Sequence, residues 1–259
     1  MSDDRVLLAI DGAIATITLN RPDKLNALDP AMLDRLEAII HQLDRDTNVR
    51  VVLLTAAGDR AFCVGADITA WSTLDPLDMW RRWVRDGHRV FDRLAHLRQP
   101  TIAVLNGYNF GGGLELALAA DLRLAADGIE LAAPEVKIGT LPGWGGTQRL
   151  PQLVGVARAK QLIFTGARID AATAERWGLV NEVLPRDALM ARAHAIAGEI
   201  AANAPLSVQL AKQAIDGALG ENAAMTFEAM AGALAATTED GREGIASFKE
   251  KRPALFIGL

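Results

Sequence analysis

Cysteine and histidine are scarce in this chain, and their scarcity excludes two kinds of site. Of the 259 residues, one is cysteine and four are histidine. A single thiol, Cys63, can form neither an internal disulfide nor a cysteine-rich zinc site. The histidines lack the close pairing with which one element usually ligates a metal: His41, His88, His96 and His194. We therefore expect no metal site and no disulfide framework.

Long apolar runs, a basic surplus and a targeting sequence are missing as well. No stretch of about 18 uncharged apolar residues occurs, so we expect no membrane span. The net charge of −5 gives the chain no overall attraction to nucleic acid or to an anionic membrane. Residues 1–5 are acidic and resemble neither a secretory signal nor a transit peptide. These absences favour a cytoplasmic protein.

Strand and helix patterns alternate over roughly the first 165 residues, which is typical of an α/β fold. Apolar runs predict strands over residues 14–19, 49–55, 101–105, 122–125 and 129–132. Between them, apolar residues at helical spacing predict helices over residues 29–46 and 75–97. Each of these helices starts at an Asp-Pro pair, which favours a helix N-terminus.

From residue 166 onward the pattern becomes helical. Helices are predicted over residues 187–202, 205–219, 223–237 and 241–252, and no strand pattern stands out among them. The segment is alanine-rich and has more apolar surface than a small free-standing lobe needs, which indicates oligomer contacts. We therefore predict an α/β domain over residues 1–165 and a helical region over residues 166–259.

Several common catalytic motifs are absent, and two glycine-rich loops remain as candidates. The chain has no G-x-S-x-G elbow, no P-loop and no G-x-G-x-x-G motif that opens a helix. The loops, residues 60–67 and 106–115, each follow a buried strand. Glycine lets a backbone approach a ligand closely, and two such loops can direct two N–H groups at one developing oxyanion. Taken singly, each loop is also explained as a tight turn, with Asp67 as an N-cap.

Two carboxylates follow the second loop. Glu115 falls in the first turn of an apolar helix, where a glutamate stabilises the helix dipole without any catalytic role. However, an ionised carboxylate on a buried helix is costly unless it has a partner or a function. Glu135 follows the end of a strand and is, by itself, an ordinary loop residue. Together, two carboxylates near an oxyanion site suit acid–base work on a water and a carbon.

These segments resemble the signatures of the crotonase superfamily, and most closely those of enoyl-CoA hydratases. The likeness spans nearly the whole chain and is carried by residues 62–68, 106–117, 134–150, 165–183 and 243–252. It implies a spiral of repeated ββα units followed by a helical region that assembles trimers, often paired as hexamers. The activity that it implies is the addition of water across the 2,3-double bond of an enoyl-CoA.

The resemblance also assigns roles to particular residues. The backbone N–H groups of Ala66 and Gly112 would form an oxyanion hole for the thioester carbonyl. Glu115 would take a proton from the attacking water, and Glu135 would supply the proton to the α-carbon. The backbone at Gly143 would help to hold that water.

The same comparison implies a binding site for CoA, which would be part of the substrate rather than a separate cofactor. Positions that meet CoA in the family are matched here by Lys24, Arg60, Val64, Phe248 and Lys251. A solvated position at the surface explains the basic side chains nearly as well.

Trp144 departs from the family pattern, because relatives often have a small residue there. It either reshapes the acyl pocket or packs into the core. The alternatives on the same fold are an enoyl-CoA isomerase and a dehydratase of a specialised hydroxyacyl-CoA such as carnitinyl-CoA; the glutamate pair favours the hydratase. A non-catalytic RNA-associated relative is a remote alternative, and the mixed charge of the helix at residues 29–46 argues against it.

Overall fold

The computed structural model describes residues 4–220 and 223–258, which fall into two compact units. The first unit extends to Val208 and the second begins at Gln209. This division lies later in the chain than residue 165, because the segment that follows residue 165 contributes two strands to the sheets of the first unit. The predicted oligomeric role of residues 166–259 stays a prediction.

Ten strands of the described residues form two sheets. They are β1 (Val6–Asp11), β2 (Ile14–Leu19), β3 (Val51–Ala56), β4 (Ala61–Cys63), β5 (Thr101–Leu105), β6 (Tyr108–Phe110), β7 (Leu122–Ala126), β8 (Glu130–Ala132), β9 (Arg168–Asp170) and β10 (Glu182–Leu184). The larger sheet has the order β1-β2-β3-β5-β7-β10, and the smaller one has the order β4-β6-β8-β9. Only β1 with β2 and β8 with β9 pair in an antiparallel manner in this part of the chain.

Successive turns of the chain give one strand to each sheet, in the pairs β3–β4, β5–β6 and β7–β8. This is the predicted spiral of repeated units. Every residue of β3 and β5 is buried, because parallel strands are covered on both faces. That burial is why both strands were visible as continuous apolar runs.

Helices connect the turns of the spiral and complete the first unit. They are α1 (Pro30–Arg45), α2 (Ile68–Trp71), α3 (Pro76–Asp78), α4 (Arg85–Ala95), α5 (Gly112–Leu118), α6 (Gly146–Val154), α7 (Val156–Thr165), α8 (Ala171–Arg176), α9 (Arg186–Ala201) and α10 (Pro205–Ala218), the last of which crosses the boundary. Asp29 caps α1 as predicted, since its carboxylate accepts the N–H of Met32 at 2.9 Å. Between α3 and α4, Met79–Val84 winds as a π-helix.

The second unit contains α11 (Ala223–Thr237) and α12 (Glu239–Glu250). Large apolar side chains of α11 are exposed: Met225, Phe227, Met230 and Leu234. The residues after α12 fold back onto it, since Glu243 accepts the N–H of Leu255 and Asp240 accepts that of Ile257. The unit therefore presents an apolar helix face that its own residues leave uncovered.

Five strands that the sequence patterns did not indicate are β1, β4, β6, β9 and β10. β1 is an edge strand with mostly exposed residues, so it lacks a buried apolar run. The other four have three residues each, which is too short for a period to be visible, and β4 and β6 lie within the two segments predicted as glycine-rich loops. No helix within residues 4–220 and 223–258 combines the length and the hydropathy of a membrane span. The same residues contain no group of three or more His, Cys, Asp or Glu side chains arranged to hold a metal ion.

Candidate active site

A largely apolar cavity of about 260 Å³ lies where the two glycine-rich loops meet. Its wall is formed by parts of both loops, by the π-helical turn and by the segment that follows β8. The lining residues include Val64–Ala66, Gly111–Gly112, Glu115, Glu135 and Gly143–Trp144. The structure thus brings most of the predicted catalytic positions to one cavity.

Two backbone N–H groups converge at the wall of this cavity. A Cβ built on Gly112 would stand 3.4 Å from the nitrogen of Ala66, and one built on Gly65 would stand 3.0 Å from the nitrogen of Gly112. Gly112 is the first residue of α5, and no side chain caps this helix. Neither N–H has an acceptor among the residues that the structure describes. Two backbone donors thus lie side by side at the wall of the cavity.

Glycine is required beside these donors because the loops touch. A Cβ at Gly113 would lie 2.2 Å from the carbonyl oxygen of Cys63, and one at Gly112 would lie 2.8 Å from the Trp144 ring. Gly111 has φ +55, a conformation that other residues rarely adopt. The glycines thus set the distance between the loops as well as the backbone turn.

Glu115 lies in the first turn of α5 and is 5% exposed. Its Oε1 accepts the N–H of Trp144 at 2.7 Å and the N–H of Gly146 at 2.9 Å. Burial raises the pKa of this carboxyl from 4.5 to about 7; the N–H groups of Gly146, Trp144 and Gly143 oppose the rise, and Glu135 adds to it. Near neutral pH, Glu115 is therefore poised between its ionised and protonated forms.

Glu135 begins the 3-10 turn Glu135–Ile138, directly after β8. Both of its carboxylate oxygens are buried, and neither has a hydrogen-bond partner of good geometry in the described chain. Burial raises the pKa of Glu135, and the N–H of its own residue offsets this only in part. Its Oε1 stands 3.4 Å from where a Cβ of Gly111 would be. Glu135 thus places a second buried carboxyl group on the same wall.

The sequence left open whether Trp144 faces the pocket or packs into the core. The structure shows that it lines the cavity and is also only 3% exposed. Its ring lies 5.3 Å from Trp83 and 5.2 Å from Phe91 between centroids, and its Nε1–H donates to the carbonyl of Trp83 at 3.2 Å. On α4, a Cβ at Gly87 would come within 2.3 Å of the indole. The role of Trp144 in acyl preference stays a prediction.

The residues expected to meet CoA are dispersed. Val64 lines the cavity, whereas Lys24 and Arg60 are exposed and do not line it. Phe248 and Lys251 belong to the second unit, where both are exposed. Contact of these five residues with CoA remains a prediction.

A polar cluster behind the first loop escaped the sequence patterns. Arg21 forms an ion pair with Asp67 at 2.8 Å and donates to the carbonyl of Ala27 at 3.0 Å. Asn26 donates its amide to the carbonyl of Ala61 at 2.9 Å, across 35 residues of sequence. Asp67 also caps α2, as the simpler interpretation held. These contacts hold the loop before Ala66. The sequence feature that could have indicated them is the polar run around Asn26, a residue whose φ is +56.

Comparisons with known proteins match nearly the whole length of the chain to one family. The sequence model of the family described as enoyl-CoA hydratase/isomerase matches residues 9–258. A short-chain-enoyl-CoA hydratase of Clostridium acetobutylicum is 41% identical, covering 97% of each chain, and a crotonyl-CoA hydratase of Syntrophomonas wolfei is 38% identical over 99% of each. The crystal structure of an enoyl-CoA hydratase from Bacillus anthracis superposes with a TM-score of 0.82 at 39% identity, covering 99% of this chain and 100% of that one. The predicted fold is thereby confirmed.

Proposed function

The chain belongs to the enoyl-CoA hydratase/isomerase family, and on that premise we propose that it adds water across the 2,3-double bond of an enoyl-CoA thioester. The prediction of an enzyme of the hydro-lyase type is confirmed by relatives named as hydratases. The observation that carries the specific proposal is the placement of two buried carboxyl groups on one apolar cavity, beside two N–H donors without acceptors.

The two donors account for the activation of the thioester. When the carbonyl oxygen of the substrate accepts the N–H groups of Ala66 and Gly112, the negative charge that forms on that oxygen is stabilised as water attacks the β-carbon. The enolate is the high-energy species, so donors that bind it better than the ground state accelerate the reaction. Removal of one such donor typically costs about 3 to 4 kcal/mol.

The carboxyl groups account for the proton transfers. Ionised Glu115, held through Oε1, takes a proton from the water while the hydroxide bonds to the β-carbon. Protonated Glu135 gives its proton to the α-carbon, and the carbonyl is restored. The backbone at Gly143, beside Glu115, helps to hold the water. Burial raises the pKa of both carboxyls, and that of Glu115, at about 7, lets this residue change its protonation state near neutral pH.

The remaining assignments concern recognition and assembly. The CoA moiety is bound by Val64 beside the cavity and by Lys24, Arg60, Phe248 and Lys251, with no cofactor beyond the substrate itself. Trp144 shapes the acyl pocket. The exposed apolar face of α11 supports assembly into trimers or hexamers. We expect the protein to act in the cytoplasm, on acyl-CoA molecules rather than on nucleic acid or membranes.

A spectrophotometric assay with crotonyl-CoA tests the proposal through loss of the conjugated enoyl-thioester absorbance. We expect fast loss for the wild type and for Glu199→Gln, a control at an exposed carboxylate. Glu115→Gln should abolish the loss. If the folded wild type bound CoA esters but hydrated none, the chain would be an isomerase or a specialised dehydratase instead.

A further inference from the structure

The two hydrogen bonds to Glu115 depend on an unusual turn. The donors, on Trp144 and Gly146, are two residues apart, yet both reach the same oxygen. Between them, Gly145 adopts φ +107, which directs the second N–H back toward the first. An isolated turn of this kind is only one of many conformations that a glycine-rich segment can adopt, so something must hold it.

Arg149, in the first turn of α6, lies against the outside of that turn. Its Nη1 donates to the carbonyl of Trp144 at 3.3 Å, and a Cβ on Gly145 would stand only 2.0 Å from the same nitrogen. The side chain is 11% exposed. The guanidinium therefore occupies the space beside Gly145 and bonds to the peptide that joins the two donor segments.

Asp92 fixes the other side of the guanidinium. Its Oδ1 accepts Nη2 of Arg149 at 3.1 Å, and His96 lies on its far side, with Nδ1 3.5 Å from Oδ2. Asp92 lies on α4, the same helix that packs Gly87 against the Trp144 indole. One helix thus supports the turn at two points, through the ring of Trp144 and through Arg149.

We propose that Arg149, braced by Asp92, is a positioning residue that holds the Trp144–Gly146 turn so that both of its N–H groups point at one oxygen of Glu115. The inference rests on the proposed function, because Glu115 is the base of that reaction. Arg149 does not line the cavity, and its contact with the turn is to the backbone carbonyl of Trp144.

The direction of the expected effect follows from the charge on Glu115. Its two N–H partners stabilise the ionised form against burial and against the neighbouring Glu135. When the turn loosens, the donors are aimed less well, so the protonated form gains. The acid limb of the activity profile should then move to higher pH.

The experiment measures kcat/KM for crotonyl-CoA between about pH 5 and pH 9. The variants are Arg149→Met, Arg149→Lys and Asp92→Asn. Arg158→Met is the matched control, because it removes an arginine whose guanidinium lies 5.5 Å over the Trp177 ring. We expect Arg149→Met to lower kcat about tenfold with little change in KM and to shift the acid limb upward. Asp92→Asn should act in the same direction but less strongly, and Arg158→Met should match the wild type.

A second measurement separates this inference from the proposed function. Infrared difference titration against Glu115→Gln follows the Glu115 carboxylate without any turnover. A higher midpoint in the Arg149 and Asp92 variants supports the inference even if the wild type hydrates no enoyl-CoA, in which case only the proposed reaction fails. An unchanged midpoint of the Glu115 titration overturns the inference, even if turnover has fallen in the same variant. If Arg149→Met does not fold, Arg149→Lys and Asp92→Asn decide.

Discussion

The helix that carries Glu115 and the turn that carries Glu135 place the same kind of side chain on one cavity in two different ways. Glu115 emerges from a fully buried helix and gives one oxygen to two backbone N–H groups. Glu135 emerges from a short 3-10 turn, and its oxygens are buried without a partner of good geometry. Burial raises the pKa of both carboxyls, but only that of Glu115 is opposed by several donors.

This difference suits two different tasks. A carboxylate held by N–H groups keeps a fixed position and is ionised more easily, as a base requires. For Glu135, burial raises the pKa with little opposition from donors, which is the direction that a proton donor requires. The identity of the residue does not separate the two roles; its surroundings do.

Glu135→Gln removes the group that we propose as the acid, and we expect it to lower turnover more than any other substitution. We expect turnover of crotonyl-CoA to fall by about 10² to 10⁴, because glutamine has no proton to give to the α-carbon. The affinity for butyryl-CoA, measured by calorimetry, should stay nearly unchanged. Turnover like that of the wild type would remove Glu135 from the mechanism.

Gly112→Pro tests the backbone N–H of Gly112 as a donor to the carbonyl oxygen of the substrate. Proline lacks the N–H, so turnover should fall by about 10² to 10³. Gly112→Ala is the matched control: it adds the same Cβ next to the Trp144 ring but keeps the donor. The measurement is the ratio of the two turnover numbers in folded protein, checked by circular dichroism. A Gly112→Pro variant as active as a Gly112→Ala variant that retains turnover would contradict the role of this N–H.

Glu115→Gln should separate stability from activity. The pKa of Glu115 is about 7 in the folded protein against an ordinary 4.5, so the folded state binds more protons between these values and stability falls as pH rises through them. Glutamine keeps the acceptor without the charge. We expect it to raise the free energy of unfolding at pH 8 by roughly 2 to 3 kcal/mol, and not at about pH 4. Urea titrations at both pH values check this; an equal difference at the two would refute it.

The smallest expected change concerns the pH profile of kcat/KM, which reports the ionisation of Glu115. Because the base must be ionised, log kcat/KM should fall by about one unit per pH unit below about pH 7. The limb reports the coupled pair, since Glu135 raises the pKa of Glu115. In Glu135→Gln that coupling is lost, so any residual activity should show its limb at lower pH. A limb near pH 4.5 in the wild type would mean that Glu115 is not buried as described.

Local patterns predicted the elements that carry their own signal. Asp29 caps a helix as expected, and β3 and β5 are visible in the sequence as continuous apolar runs. The edge strand β1 and the three-residue strands β4, β6, β9 and β10 gave no such signal. Their pairing is decided by the sheets that they join.

The site divides in the same way. The glycine loops, Glu115 and Glu135 could be named from the sequence and its resemblance to the family. Asn26 contacts Ala61 across 35 residues and Arg149 contacts Asp92 across 57, so neither pairing is visible in a local window. No periodicity contains contacts of that range.

Local patterns in the chain named the candidate residues for the chemistry and indicated where backbone conformations are special, because glycine, proline and capping aspartate act on their near neighbours. Only the packed chain places the backbone nitrogens of Ala66 and Gly112 side by side at one cavity. The tertiary structure also decided that two glutamates share a cavity and that the pKa of one of them lies near 7. The physical reason is that burial and convergence are properties of segments far apart in the chain, and they exist only once those segments have packed together.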